Sequence, residues 1–192
     1  MIMKKAIFIL FVSVLMLGCE STKNITTMAP APPEGIAFET ISNYKDFASI
    51  AIPVSGGGFK ATNDRPDVVL PRIEYQGVPC SVWSSVKGTE GALEQQFEAL
   101  KRAQGLVIKE DSKVIFQKKS IGGHEVALIE ISRVFGDSGY ASLSYGYLVK
   151  NENKAALLFI KDGYLTPETD KEKYKSDIDE VFRYMIENTK FL

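Results

Sequence analysis

The stretch from Lys113 to Asp162 constrains the fold more than any other. It divides into four segments rich in β-branched and aromatic residues: Val114–Lys118, His124–Phe135, Tyr140–Lys150 and Ala155–Ile160. The gaps read Ile121-Gly122-Gly123, Gly136-Asp137-Ser138-Gly139 and Asn151-Glu152-Asn153, each with hairpin turn chemistry. Strands joined in this way form an antiparallel meander. Between Tyr140 and Val149 one face carries Ala141, Leu143, Tyr145, Tyr147 and Val149, the other Tyr140, Ser142, Ser144 and Gly146. The segment AALLFI is apolar on both faces, which places it centrally in the sheet with cover on both sides.

Two amphipathic segments are available as that cover. From Glu90 to Gln104, Leu93, Phe97 and Leu100 recur at helical spacing, with Thr89 as N-cap and Gly105 as terminator. A second helix is predicted to open at Thr166-Pro167-Glu168, with Thr166 as N-cap and Pro167 at its first position. Tyr174, Ile178, Val181, Phe182, Met185 and Ile186 then form one stripe. Upstream, Phe47–Val54, Asp67–Tyr75 and Cys80–Val86 read as strands, and Ile36–Phe47 as a turn or short helix. The only tryptophan, Trp83, is either a core residue or an anchor for a partner. Ser55-Gly56-Gly57-Gly58 lacks the second glycine and the Lys-Ser/Thr of a phosphate loop, so it reads as a tight turn at positive φ.

The N-terminus sets the address. Lys4 and Lys5 precede an uncharged run, Ala6 to Leu17. As a helix that run is about 18 Å long, short of the ~30 Å hydrocarbon core of a bilayer, so it reads as the apolar core of a secretory signal. Met16-Leu17-Gly18-Cys19 resembles the bacterial lipobox, which implies cleavage before Cys19 and acylation of its thiol. Residues 1–18 are therefore expected to be a signal peptide, 19–46 a lipidated cysteine and flexible tether rich in proline, and 47–192 a globular domain. Glu20 after the cysteine leaves the choice of membrane open. Without Lys4 and Lys5 the chain holds 21 basic against 24 acidic residues, a net charge of −3. A chain without basic excess has little electrostatic support for binding nucleic acid. With Cys19 acylated, Cys80 has no disulfide partner within the chain and reads as a small buried hydrophobe.

The sequence holds few resources for catalysis. His124 is the only histidine. Ser138 and Asp137 lie in the next hairpin turn, about 30 Å away along a strand, so no Ser-His-Asp set forms there. One histidine and one free thiol do not make a zinc cluster, and Glu125 and Glu130 point to opposite strand faces. No metal and no cofactor is expected. Surface aromatics remain. Tyr145 and Tyr147 read as core, while Tyr140 and Tyr164, near turns, are the better contact candidates beside Trp83.

The element order is that of an α+β fold, an antiparallel meander sandwiched by helices. FASIAIP (47–53) followed by a glycine turn and Phe59, the Ser120–His124 hairpin feeding a long strand, and the final helix after AALLFIKDGY resemble the PsbP/Mog-type fold. Among exported lipoproteins the arrangement resembles the DcrB group. The resemblance implies a sheet of about six strands between helices in a binding or assembly module without established catalysis. The expected function is a membrane-anchored, non-catalytic module for binding or envelope maintenance, touching envelope proteins from the periplasmic or outer side. An immunity-type lipoprotein that neutralises an exported toxin is the alternative, and a hydrolase the weakest reading.

Overall fold

A computed structural model describes residues 30–44, 46, 48–62, 72–85, 93–104, 108–150 and 156–192, and of these it leaves out the side chains of 81–85, 99–104 and 156. The leader, Cys19, the tether up to residue 29, the predicted N-cap Thr89 and the side chain of Leu100 lie outside the described residues.

The meander forms as its turns require. β6 (Lys113–Ile121), β7 (His124–Val134), β8 (Ala141–Lys150) and β9 (Ala156–Leu165) pair antiparallel in sequence order, with Ile121 opposite His124, Ile129 opposite Gly146 and Tyr147 opposite Phe159. Before them come β1 (Ala37–Tyr44), β2 (Ala48–Gly56), β3 (Phe59–Thr62), β4 (Arg72–Tyr75), β5 (Val78–Ser85) and α1 (Leu93–Gln104). After them come α2 (Lys171–Glu187) and β10 (Lys190–Phe191). Among the described residues ten strands form one sheet in the order β1-β2-β3-β4-β5-β9-β8-β7-β6, with β10 added to β2. Every pairing is antiparallel. The fold is thus a mostly antiparallel sheet with two helices, of the α+β class.

β9 sits between β5 and β8, and Leu157, Leu158, Phe159 and Ile160 are all 0% exposed, as a run apolar on both faces demands. On one face, α2 lays Ile178, Val181, Phe182, Met185 and Ile186 against Ile50, Tyr145, Tyr147 and Phe159. Burying five such side chains contributes on the order of 10 kcal/mol, an upper bound because the unfolded chain is itself partly compact. On the other face, α1 lays Leu93 and Phe97 over Ala127, Ile129, Leu148, Leu158 and Ile160. Glu94 bonds Lys118 at 2.7 Å and the Phe97 and Phe116 rings lie 5.3 Å apart, which ties α1 to β6.

The polar groups that face α2 are paired. The hydroxyls of Tyr145, at 2.8 Å, and Tyr147 both donate to the Asp179 carboxylate. Glu130, 5% exposed, meets Lys171 at 3.0 Å and Lys175 at 3.3 Å. At Gly146 the strands press so closely that a Cβ would stand 1.9 Å from the carbonyl oxygen of Phe159. Gly57 and Gly58, at φ 56° and 87°, make the β2–β3 turn, as the glycine run predicts.

Three differences from the sequence expectation have physical causes. Residues 37–44, expected within the tether or as a short helix, form edge strand β1 paired to β2 from Ala37↔Ser55 to Tyr44↔Ala48. The segment before it is also held: Pro33 is buried, and Phe38 packs on Tyr184 with ring centroids 4.3 Å apart. The final helix begins at Lys171, not at Pro167. Asp170 caps it by accepting from the Lys173 N–H at 2.9 Å, while Thr166 and Thr169 close a turn of their own. The sheet is also larger than expected, because β3 and β10 are short strands recruited by their neighbours.

Candidate functional site

The cover supplied by α1 ends halfway along the sheet. On that face β9 reads Leu158 and Ile160, both buried, then Asp162 and Tyr164, both exposed. β8 runs the same way, from buried Leu148 and Gly146 through half-buried Ser144 and Ser142 to exposed Tyr140. β7 passes from buried Ala127 and Ile129 to half-buried Ile131, Arg133 and, just past its end, Phe135. Registers Arg133↔Ser142 and Ser142↔Tyr164 set these residues in rows across three strands. One end of the face is therefore a core, and the other an open aromatic and polar surface.

Tyr140 and Tyr164, two of the three contact candidates of the sequence, are both exposed at this end of the sheet. Tyr164 is 82% exposed and Tyr140 51%, well beyond what packing explains for so large a side chain. The ring of Phe135 lies 6.3 Å from that of Tyr164, with their planes at 30°. Phe135 donates its N–H to the Tyr140 carbonyl at 2.9 Å, closing the hairpin. The turn between them is one 3-10 turn, Gly136–Ser138, in which the Ser138 hydroxyl accepts from the Tyr140 N–H at 3.3 Å.

The polar groups around the rings are engaged with one another. Arg133 lies 5.4 Å from the Phe135 ring centre and bonds the Asp111 carboxylate through Nε at 2.7 Å. That hydrogen bond, more than the charge alone, holds the Asp111 carboxyl below the usual carboxylate range. The Ser144 hydroxyl donates to Asp162. The surface thus presents aromatic faces, hydroxyls and carboxylates, with its guanidinium already paired.

The third contact candidate is placed elsewhere. Trp83 lies in β5 in register with Leu158, six residues along β9 from Tyr164, about 20 Å away. Its side chain lies outside the described residues, as does Cys19. Phe135 and Arg133 join the surface although the sequence reading did not single them out, and so does Asp162, which that reading weighed only as a cation ligand. The signal was available for Phe135, which continues the two-residue spacing of Ile129, Ile131 and Arg133.

A second titratable cluster is interior. Lys161 is 0% exposed, stands opposite Cys80 on β5 and Tyr145 on β8, and its Nζ lies 5.9 Å from the Tyr174 ring centre. Burial pulls the ammonium below the ordinary lysine range and pushes the Cys80 thiol up to about 12. Neither group presents an atom to a substrate. His124, where hydrolase chemistry would have to centre, bonds the Thr189 carbonyl through Nε2 at 3.1 Å and meets the Phe191 ring edge-on. A carbonyl only accepts, so Nε2 carries the hydrogen and the imidazole ties α2's exit to β7. Among the described residues no group of three or more His, Cys, Asp or Glu is placed to hold a metal ion. Among them, too, no helix is long and apolar enough to cross a membrane.

No protein-family model matches the chain, and no curated protein sequence matches it. Among solved structures, the crystal structure of LpqN, involved in cell envelope biogenesis of Mycobacterium tuberculosis, is similar over 81% of this chain and 91% of that chain. The TM-score is 0.44 and the sequence identity 12%. A likeness of that degree carries no argument about activity.

Proposed function

We propose that this chain is a bacterial lipoprotein whose domain hangs in the cell envelope from an acylated Cys19 and works by binding, without catalysis. Residues 1–18 are removed as a signal. Two features support this reading. The leader has the charge, length and terminal cysteine of a lipoprotein signal. The domain devotes an open sheet end to Tyr140, Tyr164 and Phe135, and this exposed aromatic group is the observation that carries the binding role. We read the long strand after the Gly122-Gly123 hairpin and the helix after β9 as a PsbP/Mog-type arrangement resembling the DcrB group. The contacts made are with the membrane, through lipid, and with envelope components.

Mass spectrometry of the native protein tests the anchor. The expected product begins at Cys19 and carries acyl chains. A product that retains residues 1–18, or that lacks acylation, overturns the reading. A photo-crosslinker at position 140 in the living envelope tests the binding role. Discrete adducts are expected, and their absence in every growth condition counts against it.

A further inference from the structure

The aromatic surface and the strap that leads to the anchor sit at opposite ends of α2. Residues 30–34 pack beside Glu180, Arg183, Tyr184 and Glu187, in the second half of that helix, around a cavity of about 300 Å³. At the other end, a Cβ on Gly139 would stand 3.0 Å from Pro167, so the β7–β8 turn rests on the segment that leads into α2. α2 has 17 residues, about 25 Å at its helical rise. The open surface is also on the sheet face opposite to α2. If the strap leads to the bilayer, the aromatic end faces away from it.

We propose that this end binds a neutral glycan, held by Phe135, Tyr140 and Tyr164. The proposal rests on the anchored binding reading and names the ligand class of the same site. Charge selects the ligand. Arg133, the cation packed on the Phe135 ring, is bonded to Asp111, a carboxylate on which Lys109 also acts, while Asp162 and Asp137 add negative charge. A phosphate, an acidic peptide or an anionic headgroup would meet carboxylates and find that guanidinium engaged. Sugars suit what is present. Their C–H faces pack on aromatic rings, and the Tyr164 and Phe135 rings lie side by side at 30°. Their hydroxyls donate to carboxylates and exchange with hydroxyls, and Asp162 with Ser144 supplies both two residues along the ladder from Tyr164. The pairing of Ser144 with Asp162 and of Arg133 with Asp111 preorganises these groups before a ligand arrives.

The test uses the full mature lipoprotein in detergent micelles. The probes are a neutral β-1,4-linked N-acetylglucosamine tetrasaccharide and a β-1,4-linked glucose tetrasaccharide, with inorganic phosphate and a tetraglutamate peptide as controls. Calorimetry is expected to show saturable binding of at least one tetrasaccharide and none of either anion. Tyr164→Ala and Phe135→Ala should each weaken it about five- to tenfold, the scale of one ring contact, while Tyr164→Phe keeps most of it. Because Tyr164 is 82% exposed, its variants should unfold at the wild-type temperature, which separates lost binding from lost fold. Binding of neither tetrasaccharide, preference for an anion, or affinity unchanged in Tyr164→Ala overturns the proposal. Crosslinking from position 140 separates the two levels. Protein adducts without glycan binding sink the ligand class and leave the binding module standing, whereas no adduct and no glycan sink both.

Discussion

Cys80 and Lys161 face each other across the β5–β9 ladder, thiol and amine buried together beneath α2. Among the described residues no carboxylate pairs with the lysine, whose Nζ donates to the backbone carbonyl of Asp162. Such a pair makes the interior chemically quiet on one strand and electrostatically costly on the other.

The thiol should be inert in the native state. With its pKa raised to about 12 by burial, Cys80 is almost wholly protonated at pH 8, and the thiolate is the reactive form. An aromatic disulfide reagent is expected to label Cys80 only after denaturation. Rapid labelling of the folded protein would show that the β4–β5 region opens readily.

The lysine should cost stability at neutral pH. Its pKa is lowered in the fold by burial, so below that value the protein carries the full penalty of an interior ammonium. As pH rises from there toward the unfolded value near 10.5 the unfolded chain holds more protons and stability rises. Lys161→Met is expected to stabilise by about 1–2 kcal/mol at pH 7, with the gain shrinking as pH approaches 10. The raised values of Tyr75, Tyr145 and Tyr147 pull the other way above pH 10. The difference between the two proteins in urea titrations isolates the lysine.

Asp179 should be far more sensitive to truncation than to loss of charge. It accepts from both Tyr145 and Tyr147, whose rings are 7% and 0% exposed. Asp179→Ala orphans two buried hydroxyls and is expected to cost about 2–4 kcal/mol. Asp179→Asn keeps an acceptor and should cost about half as much or less. Equal losses in denaturant unfolding would refute this account of the network.

Acid should release Glu130. Burial alone would raise its pKa, but hydrogen bonds and charge from Lys171 and Lys175 outweigh it and hold the carboxyl below 4.5. The stabilisation is present above the unfolded value and is lost as pH falls through the lowered folded one. Glu130→Gln should cost about 1 kcal/mol at pH 7, and the gap to wild type should narrow as pH falls below 4.5. A melting-temperature difference that is flat between pH 7 and pH 3 would contradict it.

Gly146→Ala should be among the most damaging single methyl additions in the chain. The new Cβ would meet the Phe159 backbone oxygen, which has no rotamer to yield. A loss of about 3 kcal/mol is expected by thermal or denaturant unfolding.

The meander and the apolar stripe of α2 were legible because each carried a long, clean period with turn residues at its ends. β7 and β8 begin and end within a residue or so of the segments His124–Phe135 and Tyr140–Lys150. β1 was not legible. At the sheet edge its Glu39, Thr40, Ser42 and Asn43 are exposed, which breaks the alternation that marks a half-buried strand. β10 has two residues, too few for any period, and exists because β2 leaves Ala48 and Ser49 free to pair beyond the reach of β3. Thr166-Pro167 looked like a helix start because its chemistry also suits the turn it actually makes. For the surface, proximity to turns pointed to Tyr140 and Tyr164, but only strand register reveals that Phe135 and Arg133 join them. The same register sets Trp83 apart.

Pairing of Lys190–Phe191 with Ser49 and Ala48 joins residues about 140 positions apart along the polypeptide. A molecule threaded through a translocation pore from its amino end could not seal the early strands until this late stretch had emerged. If the chain is exported as proposed, the start of β2 stays unpaired on that side until nearly the whole length has crossed, and a stalled intermediate would offer it to any passing chaperone.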